Sequence, residues 1–289
     1  MKLQKKTICY LLICLCLFSA CASKPFDKTA KVTIVSREDG SGTRSAFVDL
    51  FDIKAMDENG ESYDNTTINA NITNSTSVVM TTIAGDPHAL GYISLGSLHD
   101  MIKPLAINDV LPSVESIRDG SYVVSRPFLI TTKSEVSPVT IDFIAFINSK
   151  DGQQIIEDND YVSAHPDAEG FSSQKPTGKI VIAGSSSVTP VMEKLKEAYL
   201  VINPNATIEL QQSDSTTGMQ AVIDGIADIG MASRALKESE ESAGLVPYTI
   251  ALDGIVVIAN HKNPLVSLSQ EEVKDLFSGK TIYWNQIIA

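Results

Sequence analysis

The stretch "VTIVSREDGSGTRSAF", residues 32–47, contains a short apolar strand, a glycine-serine turn and the start of a helix. The same order recurs at 179–190, where "KIVIA" leads into "GSSSVTP", and the hydroxyl-rich run "SDSTTG" at 213–218 directly precedes a third helical stretch. Strands and helices alternate along the rest of the chain. This alternation predicts an α/β protein, in which we expect mostly parallel sheets.

The three junctions also predict an anion site. A helix N-terminus carries amide N–H groups without intrahelical partners and about half a positive charge. Glycine allows close backbone approach, and hydroxyl side chains add donors. Three such termini that converge would bind a tetrahedral oxyanion largely through neutral groups. Taken singly, however, each hydroxyl run could be an N-cap and "DGSGT" a plain tight turn, so only the set favours binding.

Charged residues of the opening stretch complete this site. Arg37 adds a planar cation that suits an oxyanion bidentately, and Asp39 is placed to pair with Arg37 and orient it. We expect Arg44, within the first helical turn, to be solvated or to face another domain rather than to contact the ligand.

The charge of the chain and the motifs that it lacks argue against several classes of function. The 289 residues suffice for two domains, and the excess of 35 acidic over 23 basic residues, a net charge of −12, argues against nucleic acid binding. "DGSGT" lacks the lysine of a nucleotide P-loop, and no serine lies in a G-x-S-x-G elbow. The four histidines are scattered, so we expect no catalytic metal and no cofactor.

Residues 1–20 are expected to be an export signal. Three lysines precede the apolar run 8–20, which is too short to span a bilayer, and "LFSAC" places small residues before Cys21. This ending resembles a bacterial lipoprotein signal, in which Cys21 becomes the first mature residue and carries the lipid, including palmitate. The alternative is cleavage after another small residue and free secretion. Residues 21–30 are expected to be a polar tether, and residues 57–67 a loop.

Several motifs together resemble the phosphate-binding lipoproteins of high-affinity phosphate ABC transporters. They are "VSREDGSGTRSAF", "NSTSVVMTTIAGDPHALGYISLGS", "GSSSVTPVMEKLKEAY", "DIGMASRALKESE", "ALDGIVVIANHKNP" and "FSGKTIYWNQI". The resemblance covers essentially the whole mature chain. It implies a two-domain, periplasmic-binding-protein-like (type 2) fold whose cleft closes around one phosphate ion.

The order of these motifs departs from the usual family order. There the "GSSSVTP" unit opens the mature protein and "W-N-x-I" is followed shortly by "SREDGSGT", whereas here the chain ends at "YWNQIIA". This order resembles the circular permutation of some Gram-positive members. It predicts a continuous domain at 119–251 and a discontinuous domain formed by 31–118 and 252–289. The hinge should then lie near "VVSRPF" and "IALDG".

The resemblance also implies the ligand contacts. "REDGSGT" supplies four of them, with Asp39 holding the arginine. Aligning "GSSSVTP" on its glycine and proline gives a hydroxyl at Ser186 and a backbone N–H at Ser187, with a one-residue slip possible. Where some members carry an aspartate that accepts the ligand's proton, this chain has Ser233, so Ser233 Oγ or Asp39 could take that role. The expected phosphate ligands are Arg37, Ser41, Gly42, Thr43, Ser186, Ser187, Ser215 and Ser233.

The expected function is capture of inorganic phosphate and its delivery to ABC permease and ATPase subunits. The protein would be a monomer held by its lipid on the outer face of the cytoplasmic membrane, in a Gram-positive cell. Alternatives are another tetrahedral oxyanion, sulfate or molybdate, a secreted phosphomonoesterase, or an adhesin without a small ligand. The phosphomonoesterase would need a metal cluster or an activated nucleophile, and neither pattern occurs in the sequence.

Overall fold

A computed structural model describes residues 25–288 of the chain. The expected export signal and Cys21 lie outside these residues. Across 25–288, no helix combines the length and the apolar character that crossing a membrane requires.

Strands and helices alternate as expected. The strands are β1 Thr33–Arg37, β2 Lys54–Met56, β3 Ser62–Asp64, β4 Asn71–Thr73, β5 Ala89–Ser94, β6 Lys103–Pro104, β7 Ala106–Ile107, β8 Ser125–Thr132, β9 Val162–Ser163, β10 Gly178–Ser185, β11 Ala206–Ser213, β12 Ile229–Ala232, β13 Val246–Ala259 and β14 Ser267–Leu268. The helices are α1 Gly42–Leu50, α2 Thr76–Gly85, α3 Val114–Arg118, α4 Pro138–Asn148, α5 Lys150–Glu157, α6 Thr189–Ile202, α7 Ser215–Ile223, α8 Glu238–Ser242 and α9 Gln270–Phe277. One 3₁₀ turn, Leu95–Ser97, follows β5, and another, Trp284–Gln286, lies near the end of the chain.

The main sheet is mixed rather than mostly parallel. Its strand order is β11-β10-β12-β8-β13-β5-β1-β4, with β6 and β9 also paired to β13. The groups β11-β10-β12 and β5-β1-β4 are parallel, but the pairs β12-β8, β8-β13 and β13-β5 are antiparallel. The expectation of mostly parallel sheets is therefore wrong for the centre. The chain traverses this centre on two neighbouring strands, once in each direction, so these strands pair antiparallel.

The buried apolar residues fall into separate cores at the two ends of this sheet. The first core contains side chains of β1, α1, α2, β5, α9 and the second half of β13, together with Trp284. The second core packs α4, α5 and α6 on β8, β10, β12 and the first half of β13, and a smaller cluster lies beneath α7. The boundary falls between Val124 and Phe128 along β8, and between Ala251 and Ile255 along β13.

Local sequence explains where the elements begin. Ser41, Ser75 and Asp214 each cap a helix by accepting a backbone N–H with the side chain. Ser149 ends α4 and caps α5, so residues 138–157 form two consecutive helices rather than one. The segment 57–67, expected to be a loop, contains β3, which pairs with β2 as a hairpin.

Residues 30–32 and 282–284, near the two ends of the described chain, meet at one edge of the first core. Val32 N–H donates to the Ile282 carbonyl (2.8 Å), and Trp284 N–H donates to the Ala30 carbonyl (3.2 Å). Lys31 and Tyr283 form an antiparallel bridge. The chain near residue 30 and the chain near residue 284 are therefore neighbours in space.

Candidate functional site

Four strand-to-helix junctions converge between the two cores. β1 leads to α1 and β4 to α2 on the first core, while β10 leads to α6 and β11 to α7 on the second. Each pair of strands is joined in parallel through the sheet, so the carboxyl ends lie along one edge on each side. The helix N-termini of both sides consequently face each other across a shared cleft.

The phosphate ligands expected from the sequence all lie at this cleft and are buried. They come from the end of β1 and the start of α1 on one side, and from the turn before α6, the start of α7 and the residue after β12 on the other. They are Arg37, Ser41, Gly42, Thr43, Ser186, Ser187, Ser215 and Ser233, none of them more than 5 % exposed among those with a side chain. The structure thus brings together residues almost 200 positions apart in sequence.

Direct hydrogen bonds join the two sides. Arg37 Nη2 donates to Ser186 Oγ (3.1 Å), and Thr43 Oγ1 hydrogen-bonds to Ser187 Oγ (2.9 Å). Thr43 Oγ1 also lies 3.5 Å from Ser233 Oγ. Because these hydrogen bonds join the two sides directly, the cleft is closed in this structure.

The second side is organised around Ser233. Its backbone N–H donates to Ser215 Oγ (3.2 Å), and its Oγ accepts from Ser185 Oγ (3.0 Å). The Ser187 N–H donates to Ser185 Oγ (3.3 Å), while the Ser186 N–H donates to a main-chain carbonyl on β11. Hydroxyl groups of three junctions therefore form one connected network.

The expectation that Asp39 orients Arg37 is wrong. Arg37 pairs bidentately with Glu38, through Nε to Oε2 (2.8 Å) and Nη2 to Oε1 (2.6 Å). The side chain of Asp39 is 95 % exposed and pairs with Arg44 (2.7 Å). The physical reason is that β1 ends at Arg37, so the alternation that would place residues 37 and 39 on one side does not continue through the turn.

Arg44 is neither solvated nor directed at the other side of the cleft. Its Nε donates to Asp64 Oδ2 (2.7 Å) on the β2–β3 hairpin, and Nη1 donates to the Arg37 carbonyl (2.9 Å). With Asp39 as its other partner, Arg44 braces the turn between β1 and α1 from outside.

Sequence reasoning missed two hydroxyl residues of the network. Thr76, the first residue of α2, lies 3.5 Å from Ser186 Oγ and 3.4 Å from Ser187 Oγ through its Oγ1. Ser185 is the donor to Ser233 noted above. The signal for Thr76 was present, because "NSTS" at 74–77 is a hydroxyl run before a helix like the other three.

A cavity of about 170 Å³ adjoins this network at the cleft entrance. Thr76 and Ser186 form its wall toward the network, and Ser97, His99 and Gln212 form other parts of it.

Buried charges around the site are balanced. Three arginines near the junctions are at most 5 % exposed. Each has a carboxylate partner: Arg37 with Glu38, Arg126 with Asp253, and Arg234 with Glu240. Burial raises the pKa of Tyr92 to about 12, so the phenol that hydrogen-bonds to Ser36 Oγ (2.8 Å) behind β1 stays neutral. The attraction for an anion therefore comes chiefly from helix N-termini and hydroxyl donors, with Arg37 as the cation directed at the network.

The donor set fits a compact oxyanion. It offers hydroxyl groups that can donate or accept, backbone N–H groups of helix first turns and one guanidinium. Within residues 25–288, no group of three or more His, Cys, Asp or Glu side chains is arranged to hold a metal ion.

Comparison with known proteins shows the family to which the chain belongs. The profile of the PBP superfamily domain matches residues 23–151 and 170–289. The phosphate-binding protein PstS 2 of Streptococcus agalactiae serotype V is 51 % identical over 257 residues, which cover 89 % of this chain and 87 % of that relative. The chain belongs to the PstS family of the PBP superfamily. Its fold is accordingly the two-part α/β fold of these binding proteins.

Further PstS relatives extend the comparison. PstS 2 of Streptococcus pneumoniae serotype 4 is 43 % identical over 256 residues, 89 % of this chain and 87 % of that protein. A solved structure of a phosphate-binding protein of a phosphate ABC transporter, from Streptococcus pneumoniae TIGR4, has a TM-score of 0.71 at 42 % identity. That match covers 89 % of this chain and 100 % of the solved chain.

Proposed function

We propose that this protein binds inorganic phosphate in the cleft between its two cores and delivers it to an ABC permease with its ATPase subunits. The observation that carries the proposal is the closed hydroxyl network, in which Arg37 and Thr43 of one side hydrogen-bond Ser186 and Ser187 of the other. The PstS relatives, named as phosphate-binding proteins, support phosphate as the ion. The protein acts as a binding protein rather than as an enzyme.

The phosphate ion is held by Arg37, Ser41, Gly42, Thr43, Ser186, Ser187, Ser215 and Ser233, joined by Thr76. Phosphate retains a proton near neutral pH, whereas sulfate has none to donate. Because Asp39 points to Arg44 and solvent, the acceptor for this proton is Ser233 Oγ. Sulfate has no proton to donate to Ser233 Oγ, although this hydroxyl can turn to donate to sulfate instead, so the preference for phosphate rests on one hydrogen bond, worth about 0.5–1.5 kcal/mol. Sulfate and molybdate are therefore the competing ligands to exclude.

The two cores define two closing domains, one formed by 31–118 with 252–289 and the other by 119–251. The separation of the buried apolar residues supports this division. Tyr122 and Val124 still pack on the first core, so the chain crosses between the cores at 125–127 and 252–254. Closure then bends β8 and β13 at those points. Small-angle scattering should show a smaller radius of gyration with phosphate than without it, and an unchanged radius would exclude closure.

The chain is a circular permutation of the usual family order. The pairing of Val32 with Ile282 and of Trp284 with Ala30 supports this, because a short connection could join these ends. Linking residue 289 to residue 31 and opening the chain before Gly178 should give a folded, phosphate-binding protein. Failure of this rearranged chain to fold would contradict the permutation.

The protein is anchored by a lipid on Cys21 to the outer face of the cytoplasmic membrane, as the sequence of residues 1–21 indicates. One lipid-modified cysteine with acyl chains supplies the attachment. Cys21→Ser should release the protein into the medium. Retention of this variant in the membrane fraction would contradict the anchor.

The site itself is tested by Arg37→Met. The variant should lose roughly 100-fold or more in phosphate affinity, because charge-assisted hydrogen bonds are lost and Glu38 remains beside the anion. Arg118→Met is the matched control, since it removes an arginine that pairs with Glu157 on the exposed surface and should bind phosphate nearly as the wild type does. Equal affinities of the two variants, measured by calorimetric titration, would refute the assignment of Arg37.

A further inference from the structure

A buried ion pair lies where the chain crosses between the two cores. Arg126 on β8 and Asp253 on β13 are directly opposite in the strand register. Arg126 donates from Nε (3.2 Å) and Nη2 (3.0 Å) to Asp253 Oδ2, and both side chains are almost fully buried. Burying two charges is unfavourable unless each is paired and its remaining donors and acceptors are satisfied, so the other contacts of the pair are informative.

Those other contacts reach both sides of the cleft. Asp253 Oδ1 accepts from Ser94 Oγ (2.7 Å) and from the Leu95 N–H (3.2 Å), which lie at the end of β5 on the first core. Arg126 Nη1 donates to the Ser233 carbonyl (2.9 Å) at the end of β12 on the second core. The pair is thus a fixed link from the first core, through both crossing strands, to the residue at the centre of the hydroxyl network.

We propose that Arg126 is a positioning residue for anion binding: it holds the Ser233 main chain so that the Ser233 hydroxyl faces the bound ion. This inference rests on the proposed phosphate function. Asp253 holds the guanidinium in place and balances its charge, and the contacts of Asp253 with Ser94 and Leu95 fix the pair to the first core. Phosphate affinity therefore depends on a side chain in the crossing strands that is not among the expected ligands.

The guanidinium geometry explains why arginine is needed. Nε and Nη2 point to one carboxylate oxygen, while Nη1 points to the carbonyl of another strand. A lysine ammonium presents its donors from a single atom and cannot span both partners with the same directions. Arg126→Lys keeps the charge beside Asp253 but loses the hold on Ser233.

The experiment measures phosphate affinity by calorimetry and thermal unfolding of the anion-free protein. Arg126→Lys should weaken phosphate binding about tenfold, the loss expected for one hydrogen bond from a charged donor. Arg118→Lys is the matched control, because Arg118 also pairs across from α3 to α5, with Glu157, but on the exposed surface. The control should bind phosphate as the wild type does.

A double-mutant cycle with Ser233→Ala separates positioning from general support of the fold. If Arg126 acts through Ser233, Arg126→Lys should reduce affinity much less in the Ser233→Ala background than in the wild type. If it only supports the structure, the two losses should add, and that result overturns the proposal.

A second variant guards against a folding defect. Arg126→Met with Asp253→Asn removes both buried charges together, and the amide oxygen introduced at position 253 can still accept from Ser94 Oγ and the Leu95 N–H. It should unfold near the wild-type temperature yet bind phosphate about tenfold more weakly, since the donor to the Ser233 carbonyl is absent. Wild-type affinity in this variant or in Arg126→Lys overturns the inference alone. A wild-type protein that does not bind phosphate removes the proposed function and this inference with it.

Discussion

Gly42 offers a test of cleft closure that leaves each core intact. It is the first residue of α1, and it packs where the two sides of the cleft meet. A methyl group at this position would overlap Ser215 Oγ and would lie 2.8 Å from Ser233 Oγ. Both hydroxyl groups belong to the opposite side, so Gly42→Ala obstructs closure rather than the packing of α1 on its own core.

The magnitude follows from this overlap. Inserting a methyl group into a packed contact typically costs about 1–3 kcal/mol, which corresponds to a phosphate Kd roughly 5- to 150-fold higher. The anion-free protein should not lose stability, because alanine is a better helix former than glycine by up to about 1 kcal/mol. The predicted signature is weaker binding with an unchanged or higher unfolding temperature.

Gly85→Ala is the matched control. Gly85 is also a helical glycine, at the end of α2, and a methyl group there would have no heavy atom within 4 Å. Calorimetric titration with phosphate and thermal unfolding should be measured on both variants. If Gly42→Ala binds phosphate as tightly as Gly85→Ala, the ion is not bound by closure of α1 against α7 and β12.

Two further substitutions test the site and its support. Thr76→Val should raise the phosphate Kd about fivefold, as expected for one lost hydrogen bond. Thr81→Val, on the exposed face of α2, should leave the Kd unchanged, and equal affinities of the two variants would remove Thr76 from the site. Burial raises the pKa of Glu240, but the bonds and charge of Arg234 outweigh this and lower it from its usual 4.5. Glu240→Gln should therefore reduce the free energy of unfolding by about 3 kcal/mol at pH 7. This deficit should shrink as the pH falls below 4.5 and the wild-type carboxylate is protonated; a pH-independent deficit would contradict the ion-pair explanation.

The sequence predicted much of the fold because its signals were local. The apolar strand before "GSSSVTP" and the hydroxyl run before α7 are features of consecutive residues, and both junctions appear where expected. Strand direction is not local, since periodicity is the same in parallel and antiparallel strands. The antiparallel centre formed by β8 and β13 therefore escaped prediction.

In the site, too, features of neighbouring residues were predictable and contacts between distant residues were not. Runs of neighbouring residues predicted an anion site at the junctions, the family resemblance implied Ser186, Thr43 and Ser215 within them, and the structure gathers these residues in one network. The partner of Arg37 was mispredicted because β1 ends at Arg37, and the turn that follows places Glu38 rather than Asp39 beside the guanidinium. Arg126 and Asp253, which are 127 positions apart, could not be paired from sequence.

The central claim is that the cleft recognises the proton that phosphate retains near neutral pH, and that it binds the ion mainly through neutral hydrogen-bond donors. The most direct test is calorimetric titration of residues 22–289, stripped of bound anion, with phosphate and then with sulfate. The account predicts tight one-to-one binding of phosphate and roughly two- to tenfold weaker binding of sulfate, because sulfate has no proton to donate to Ser233 Oγ. Equal affinities for the two ions would contradict the proton-based selectivity, and binding of neither would show that the hydroxyl runs only cap helices.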